Sequence, residues 1–539
     1  MSPAKNVPMD SKRFKEWTPE SVNALNPLGI SSWFQCSARR QFQRVLRLLS
    51  LVLLALPASA HIGSQSVIYE TQAPPVPMRV IIRPPGVVPG LADIDVRVLT
   101  NGVKRVTVLP VHWRAGVEGA PPPDVAKPVE GEPNLFHAQL WLMARGAYSV
   151  HVSVETTNGA VKVIVPVNSL ATTRLPMTGL LGGILVALGV LLFLLAATIV
   201  GAAVRESVLA PGLQPTPRRL WAGRAAIGLA AFALVLALVG GRTWWNSKDL
   251  DYRNNRMHKP VECAADVRVE GGQRIARINI LTNEARATWS GLVPDHGKLM
   301  HVFMVREPAL DVLAHVHPVR RTHWQFEAVL PPLPAGDYRL YADVTHETGF
   351  SQTLTALARV PEAPPSEEGG GTLHTADPDD SWFAGTPVTG KAECALGDGR
   401  VMKWERAEPI MASRATSLRF VVLEKDGSLS RLEPYMSMLG HAAIRRDDGA
   451  VFTHLHPAGS VSVAAQQVFQ LRAGDNPPKR ITPEMMEQLC QPPGGNLPQQ
   501  PLSFPYEFPK PGRYRIWVQI KAGGKVQTGV FDTEVVAAQ

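Results

Sequence analysis

The sequence predicts a mainly β protein: three small β-sandwich domains, two transmembrane helices and an N-terminal signal peptide. Three observations predict it. Short alternating apolar runs, broken by Gly and Pro, recur in three segments of a chain with 47 Pro and 44 Gly, a pattern that suits strands and turns. Two stretches stay apolar for about the thickness of a bilayer. An Arg cluster, a short apolar run and an Ala-x-Ala sequence follow one another near the N-terminus.

The N-terminal features come first in the chain. Arg39, Arg40, Arg44 and Arg47 precede the apolar run Leu48 to Leu56, which ends in Ala58-Ser59-Ala60. That order is the grammar of a cleaved export signal, here residues 1–60 with their extension. The Arg39-Arg40-Gln41-Phe42 run also fits a twin-arginine signal. Cleavage after Ala60 removes Cys36 and makes His61 the first residue.

Residues 175–204 contain no charged side chain and read as the first transmembrane helix, and 220–241 read as the second. Arg224 lies near one end of the second, and Trp244-Trp245 stand at the other as an interfacial belt. The connection 205–219 is rich in Arg (Arg205, Arg218, Arg219, with Arg224 just beyond) against the single acid Glu206. Positive charge stays inside, so this loop is cytoplasmic and the bulk of the chain is periplasmic, held by a bacterial inner membrane. Gly179 and Gly183 form a G-x-x-x-G, a pattern that suits a homodimer contact.

The first exported segment, 61–170, has alternating runs such as Met78–Arg83 and Asp93–Val98, and a last hairpin turning at Asn158-Gly159. Beyond the membrane the grammar appears twice more, in 262–360 and 392–537, joined by a linker at 361–391. The two copies match in order. Glu262-Cys263-Ala264 pairs with Glu393-Cys394-Ala395, and Met300-His301 with Gly440-His441. His315-Val316-His317-Pro318 pairs with His454-Leu455-His456-Pro457, and Gly336-Asp337-Tyr338 with Gly512-Arg513-Tyr514. Preserved order points to duplication. The second copy carries an insertion, 460–503, with a short helix over 482–490. All three domains place G-x-Y before a strand, the tyrosine corner of immunoglobulin-like sandwiches.

The sharpest chemical signal is the His-x-His-Pro pair. Residues i and i+2 of a strand share a face, so both imidazoles converge. Such a pair suits copper, zinc or nickel with one or two further ligands. His301 joins His315 and His317, and His441 joins His454 and His456, if the strands pair in the right register. A turn at Asp448-Gly449 pairs Arg446 with Val451 and hence His441 with His456. The first copy is one residue longer and needs a three-residue loop or a bulge, so the second is expected to be better formed. Met300, Met436 and Met438 lie close in sequence and would favour cuprous copper. His61, as a first residue, would chelate through its amine and ring, with His112, His137 or His151 adding a nitrogen.

Other chemistry is scarce. There is no C-x-x-C, G-x-S-x-G, H-E-x-x-H, P-loop or glycine-rich dinucleotide turn, and Asp295-His296, downstream of Cys263, has nothing to orient it as a Cys-His pair. The chain therefore does not read as an enzyme. The net charge of +9 sits largely where topology explains it, and no basic, aromatic-interleaved motif points to nucleic acid. Cys263 and Cys394 hold matching places in the two copies, and either Cys263–Cys394 or Cys394–Cys490 is an open disulfide pairing.

The segment 61–167, through Gly146-x-Tyr148 and its flanking strands, resembles the small periplasmic sandwiches of the FixH and YtkA-like group. An export signal followed directly by His61 is similar to CopC-type copper carriers, although their acidic and second His ligands have no defined counterparts here. The copies with Lys298-Leu299-Met300-His301 and His315-Val316-His317-Pro318 resemble uncharacterised bacterial membrane-anchored proteins. The resemblance implies copper handling, with zinc as the alternative metal, and a metal-transfer protein as partner. The rival expectation is an envelope interaction or sensing scaffold in which these histidines are structural.

Overall fold

The computed structural model describes residues 66–71, 75–175, 177–210, 212–281, 289–363, 375–385, 390–406, 409–474, 476–489 and 501–538. The signal peptide, Cys36, His61 and Cys490 lie outside them. The described chain is mainly β, with several antiparallel sheets and two long apolar helices.

The segment before the first apolar helix forms two sheets around one core. Val67–Thr71, Met78–Arg83, Gly90–Val98 and Leu135–Leu142 make one; Val103–His112, Gly146–Thr156 and Gly159–Ser169 make most of the other. In Gly90–Val98 every second residue is buried, as expected of a strand with one face on a core. Val80, Ile94, Val108 and Val152 fill the space between the sheets.

Helices α1 (Gly179–Glu206) and α2 (Pro217–Asp251) are long and apolar enough to cross a membrane. Most of their Leu, Ile and Val side chains face outward, an arrangement suited to lipid and not to water. The helices approach closely where Gly201 meets Gly223: a Cβ on Gly223 would stand 3.1 Å from the Gly201 carbonyl oxygen. Small residues let helix backbones come this near. Gly179 and Gly183, the sequence's G-x-x-x-G, have open space around them instead. The second helix also runs past the expected 241 and ends in a π turn, Tyr252–Arg256. Arg174, just before α1, pairs with Asp249 near the end of α2 at 2.7 Å.

In the first repeat, β1 (His301–Glu307), β2 (Val312–Val316) and β3 (Gly336–His346) lie in the order β3-β1-β2. β4 (Ser381–Ala384) adds to the edge of β2, Ser381 standing opposite His315. This corrects the expected linker: part of 361–391 is a strand of the first repeat. In the second repeat, β5 (His441–Arg446), β6 (Phe452–Leu455) and β7 (Gly512–Ala522) repeat the order as β7-β5-β6. The insertion folds as α3 (Val463–Arg472) and α4 (Pro483–Leu489). Ser462 caps α3, its Oγ accepting from Ala465 N at 3.1 Å.

All three G-x-Y tyrosines make the corner bond. Tyr338 and Tyr514 hydroxyls each donate to the carbonyl four residues upstream at 2.7 Å, and Tyr148 accepts from Ala144 N. The cysteines, by contrast, are not equivalent. The Cys263 strand is two ladder steps from Gln325–Val329, but the Cys394 strand is three from Leu502–Glu507, because the second repeat carries an additional strand there. Both thiols are free, each packed against its own core.

Candidate metal centre

The strands that carry the histidines are apolar on both faces: β1 runs His-Val-Phe-Met-Val, all buried. Val302, Met304, Ala314 and Val316 point into the core of the first repeat. The alternate residues, Phe303, Val305 and Leu313, pack against Ala443, Phe452 and Trp517 of the second repeat. The two repeats therefore meet face to face, and the histidines lie on the meeting faces.

Register does the rest. In the first repeat Phe303 is opposite His315, which places His301 level with His317. In the second, Ala443 is opposite His454 and His441 level with His456, as the Asp448-Gly449 turn predicts; Arg446 N donates to Val451 O at 2.9 Å. The second copy is not better formed than the first. The additional residue of the first is absorbed in the loop, where Leu310 takes a left-handed conformation (φ 53°) and bonds back to Arg306 O. In each triad a nitrogen of every histidine lies within 4.8 Å of one from each of the others.

The hydrogen bonds fix the tautomers. His301 Nε2 lies 2.9 Å from the Asp295 carbonyl, which can only accept, so Nε2 carries the proton and Nδ1 a lone pair. His315 Nδ1 lies 3.0 Å from Gln519 Oε1. A chain sets that amide's orientation: Gln519 Nε2 donates to Ser381 Oγ, Ser381 meets the Tyr435 hydroxyl, and Tyr435 donates to the Asp379 carbonyl. His315 Nδ1 is thus the donor, and its Nε2 lone pair faces His301 Nδ1 at 3.2 Å. His317 Nδ1 meets Asp380 Oδ1 at 3.0 Å, and its buried Nε2 has no partner.

The second triad repeats the pattern. His441 Nε2 donates to the Tyr435 carbonyl at 3.1 Å and leaves Nδ1 facing His454 Nε2 at 3.2 Å. His454 Nδ1 faces Asp343 Oδ2 at 3.5 Å. His456 Nδ1 donates to Val461 O at 3.1 Å, and its buried Nε2 has no partner.

Two lone pairs 3.2 Å apart repel unless a proton or a cation stands between them. Burial resists the proton. The six triad imidazoles are nearly or fully sealed from solvent, which holds them below their usual pKa, those of His315, His317, His441 and His454 well below it. A metal with nitrogens at about 2.0–2.1 Å sets its ligands roughly 3–3.6 Å apart, and 3.2 Å falls in that range. Five of the six outward nitrogens bond to oxygen acceptors, as metal-ligating imidazoles do, and that of His454 faces Asp343 at 3.5 Å. The donor set thus fits a metal in each triad.

Around them lie carboxylates. Burial raises Asp343 and Asp380 to about 7; a nearby cation would reverse that. Asp380 and Asp377 are close enough to His317 to form a third candidate group with it, and Lys298 pairs with Asp377 and Asp379.

Sequence reasoning missed His296, Asp343, Asp380 and Gln519. His296, 8% exposed, packs edge-on against His456 and His441 with ring centroids 4.9 and 5.5 Å away. Met300 points into the core of its own repeat, away from His301, because adjacent strand residues face opposite sides. In the first segment, His137 bonds to Asp95 in one sheet, while His112 and His151 belong to the other, so these three do not form a cluster. Cys263 is pushed up to about 12 by burial and is no thiolate ligand.

No curated protein matches the sequence. Among solved structures, one from a study of host cell surface retention by a 1.5-MDa bacterial ice-binding adhesin aligns at 5% identity and a TM-score of 0.12, covering 83% of this chain and 91% of the other. The BSP domain of a biofilm-associated protein aligns at 7% identity and a TM-score of 0.15, covering 92% and 70%. Both scores lie below those of a shared overall fold. Residues 261–362 and 395–537, which carry both triads, match the family model described as a domain of unknown function, DUF8832.

Proposed function

We propose that this protein is a membrane-anchored, extracytoplasmic metal-binding accessory protein whose paired repeats hold two copper ions, with zinc as the alternative occupant. One observation carries the reading: His301 and His315 turn lone pairs toward each other at 3.2 Å, and His317 and His456 each bury an inward Nε2 with no partner. Purely structural histidines would pair both ring nitrogens, because an unsatisfied buried polar atom is costly.

The choice of copper follows from charge. Each triad offers three neutral imidazoles and is closed to water, and facing rings of the two triads are only 5.7 Å apart (His301–His454, His315–His454). Repulsion between two ions scales with the product of their charges. Two cuprous ions therefore repel about one quarter as strongly as two divalent ones. Imidazole is also a good ligand for copper.

The Arg-rich connection between α1 and α2 supports a topology in which the remaining domains lie in the periplasm of a bacterial inner membrane. The paired sheets and their tyrosine corners support three immunoglobulin-like sandwiches. A site this closed suits delivery by a metal-transfer partner and slow release. Metal analysis of the full chain in detergent tests the reading: two copper ions per chain, falling to one when His454 and His456 are both replaced by Ala. Unchanged metal content in that variant, or a wild type that binds none, would overturn it.

A further inference from the structure

His296 is the second residue of a tight turn, Asp295–Lys298, closed by reciprocal backbone bonds of 2.9 and 3.0 Å. The same turn recurs at Tyr435–Met438. Asp295 O and Tyr435 O play identical parts, each accepting from the histidine six residues on. His296 and Met436 are therefore equivalent positions, and both adopt a left-handed backbone, φ 51° and 48°.

The His296 ring, however, serves the other repeat. It stands nearer to His456 and His441 than to His301 of its own repeat, whose ring is 6.3 Å away. Its Nε2 is buried and bonds to nothing. The neighbouring Asp295 carboxylate, 3.5 Å away, is engaged in capping α3 through Ala464 N and Ser462 Oγ. A buried side chain whose nitrogen is orphaned, packed edge-on against two imidazoles of the second triad, points to a ligand.

We infer that His296 is a fourth ligand of the metal held by His441, His454 and His456, which makes that centre a four-imidazole site built from both repeats. In the second repeat the equivalent turn position is Met436, so among the described residues the duplication offers the first centre a thioether where the second has His296. The inference rests on the metal-binding reading above and adds selectivity to it. Four imidazoles complete the tetrahedral shell that zinc takes in closed sites. A three-imidazole site with a thioether at the equivalent turn favours cuprous copper. Both centres take cuprous copper, and they differ in their hold on a divalent ion, which the second binds more tightly than the first.

The test uses the full chain in detergent, stripped of metal and titrated with Zn(II) and, separately, with Cu(I) against chromophoric chelators. The wild type should bind one Zn(II) much more tightly than a second, with four imidazoles at the tight site by X-ray absorption. His296→Asn, which tolerates the left-handed backbone, should weaken that site at least about tenfold and remove one imidazole from its shell, while two Cu(I) still bind. Unchanged zinc affinity and imidazole count, with both Cu(I) retained, would make His296 a packing residue and leave the metal reading standing. A wild type that binds neither ion would overturn the metal reading itself. If His296→Asn gives little folded protein, His296→Gly, which suits the same backbone, takes the same measurement.

Discussion

Gln519 Oε1 accepts a hydrogen bond from His315 Nδ1 at 3.0 Å, and the two residues belong to different repeats. The converse also holds: Asp343 of the first repeat faces His454 of the second. Asp343 and Gln519 are equivalent, since each is paired across its sheet with the first histidine of its own triad, His301 or His441. Each triad thus comes from one repeat, and the group that faces one of its imidazoles comes from the other.

Replacing Gln519 by Leu should therefore weaken the first centre without touching a ligand. His315 would lose the acceptor that keeps its Nε2 lone pair inward. Outer-shell losses of this kind cost about 10–100-fold in metal affinity. Competition for Cu(I) should show one weakened site and one unchanged. Two unchanged sites would mean that the amide does not set the tautomer.

Asp343→Asn should act in opposite directions on the metal-free and metal-loaded protein. Burial raises the Asp343 carboxyl to about 7, so its contribution to stability is present below the usual carboxylate pKa and is lost as pH rises through 7. Asn does not titrate. At pH 8 the metal-free variant should be more stable than wild type by on the order of 4 kcal/mol, from a rise of about three units at 1.36 kcal/mol each. Metal affinity at the second centre should fall. Denaturation with and without metal measures both effects.

The histidines impose the other pH dependence. Burial lowers all six triad imidazoles and holds His296 at about 3. Above pH 6.5, where unfolded imidazoles are also neutral, their contribution is fully present. As pH falls below that, the unfolded chain takes up protons the folded chain refuses, and stability falls by about 1.4 kcal/mol per pH unit for each proton. Asp343 and Asp380 oppose this slope, but they are two against seven. The metal-free protein should melt at a markedly lower temperature at pH 5 than at pH 7, and bound metal should be released over the same range. A flat profile would show that the imidazoles are not sealed from protons.

How much of this was legible in the sequence depends on distance along the chain. Strand alternation aligned each His-x-His, and the Asp448-Gly449 turn set the register that brings His441 level with His456. Both are local facts. Gln519 lies 204 residues from His315, and no local pattern joins them. The meeting of the two repeats did leave a trace: His301–Val305 and Val312–Val316 are apolar on both faces, and a strand that fails to alternate is covered on both sides. His296 left none, because a lone His in a turn resembles any other. Ser381–Ala384 was hidden by its surroundings, since a four-residue edge strand between Pro-rich and Gly-rich stretches reads as linker.

The interface between the repeats offers a last test, independent of metal. Arg445 of the second repeat is 2% exposed and crosses to the first. It pairs with Glu307 and donates from Nε to the Tyr341 hydroxyl at 2.9 Å. Tyr341 in turn stacks on Phe452, with ring centroids 3.8 Å apart and planes 5° from parallel. The ion pair is desolvated, so its net worth is small compared with the cost of breaking it from one side. Glu307→Ala should leave the Arg445 guanidinium buried without its carboxylate and destabilise the protein by about 3 kcal/mol, the lower end for such a loss, because Glu307 is partly exposed. Changing both residues, Glu307→Leu with Arg445→Met, should recover most of that loss, since a packed apolar pair of similar volume can replace a buried ion pair. Thermal denaturation of the metal-free single and double variants separates the cases. If the double variant is as unstable as Glu307→Ala, Arg445 contributes through its bond to Tyr341 and not through its charge.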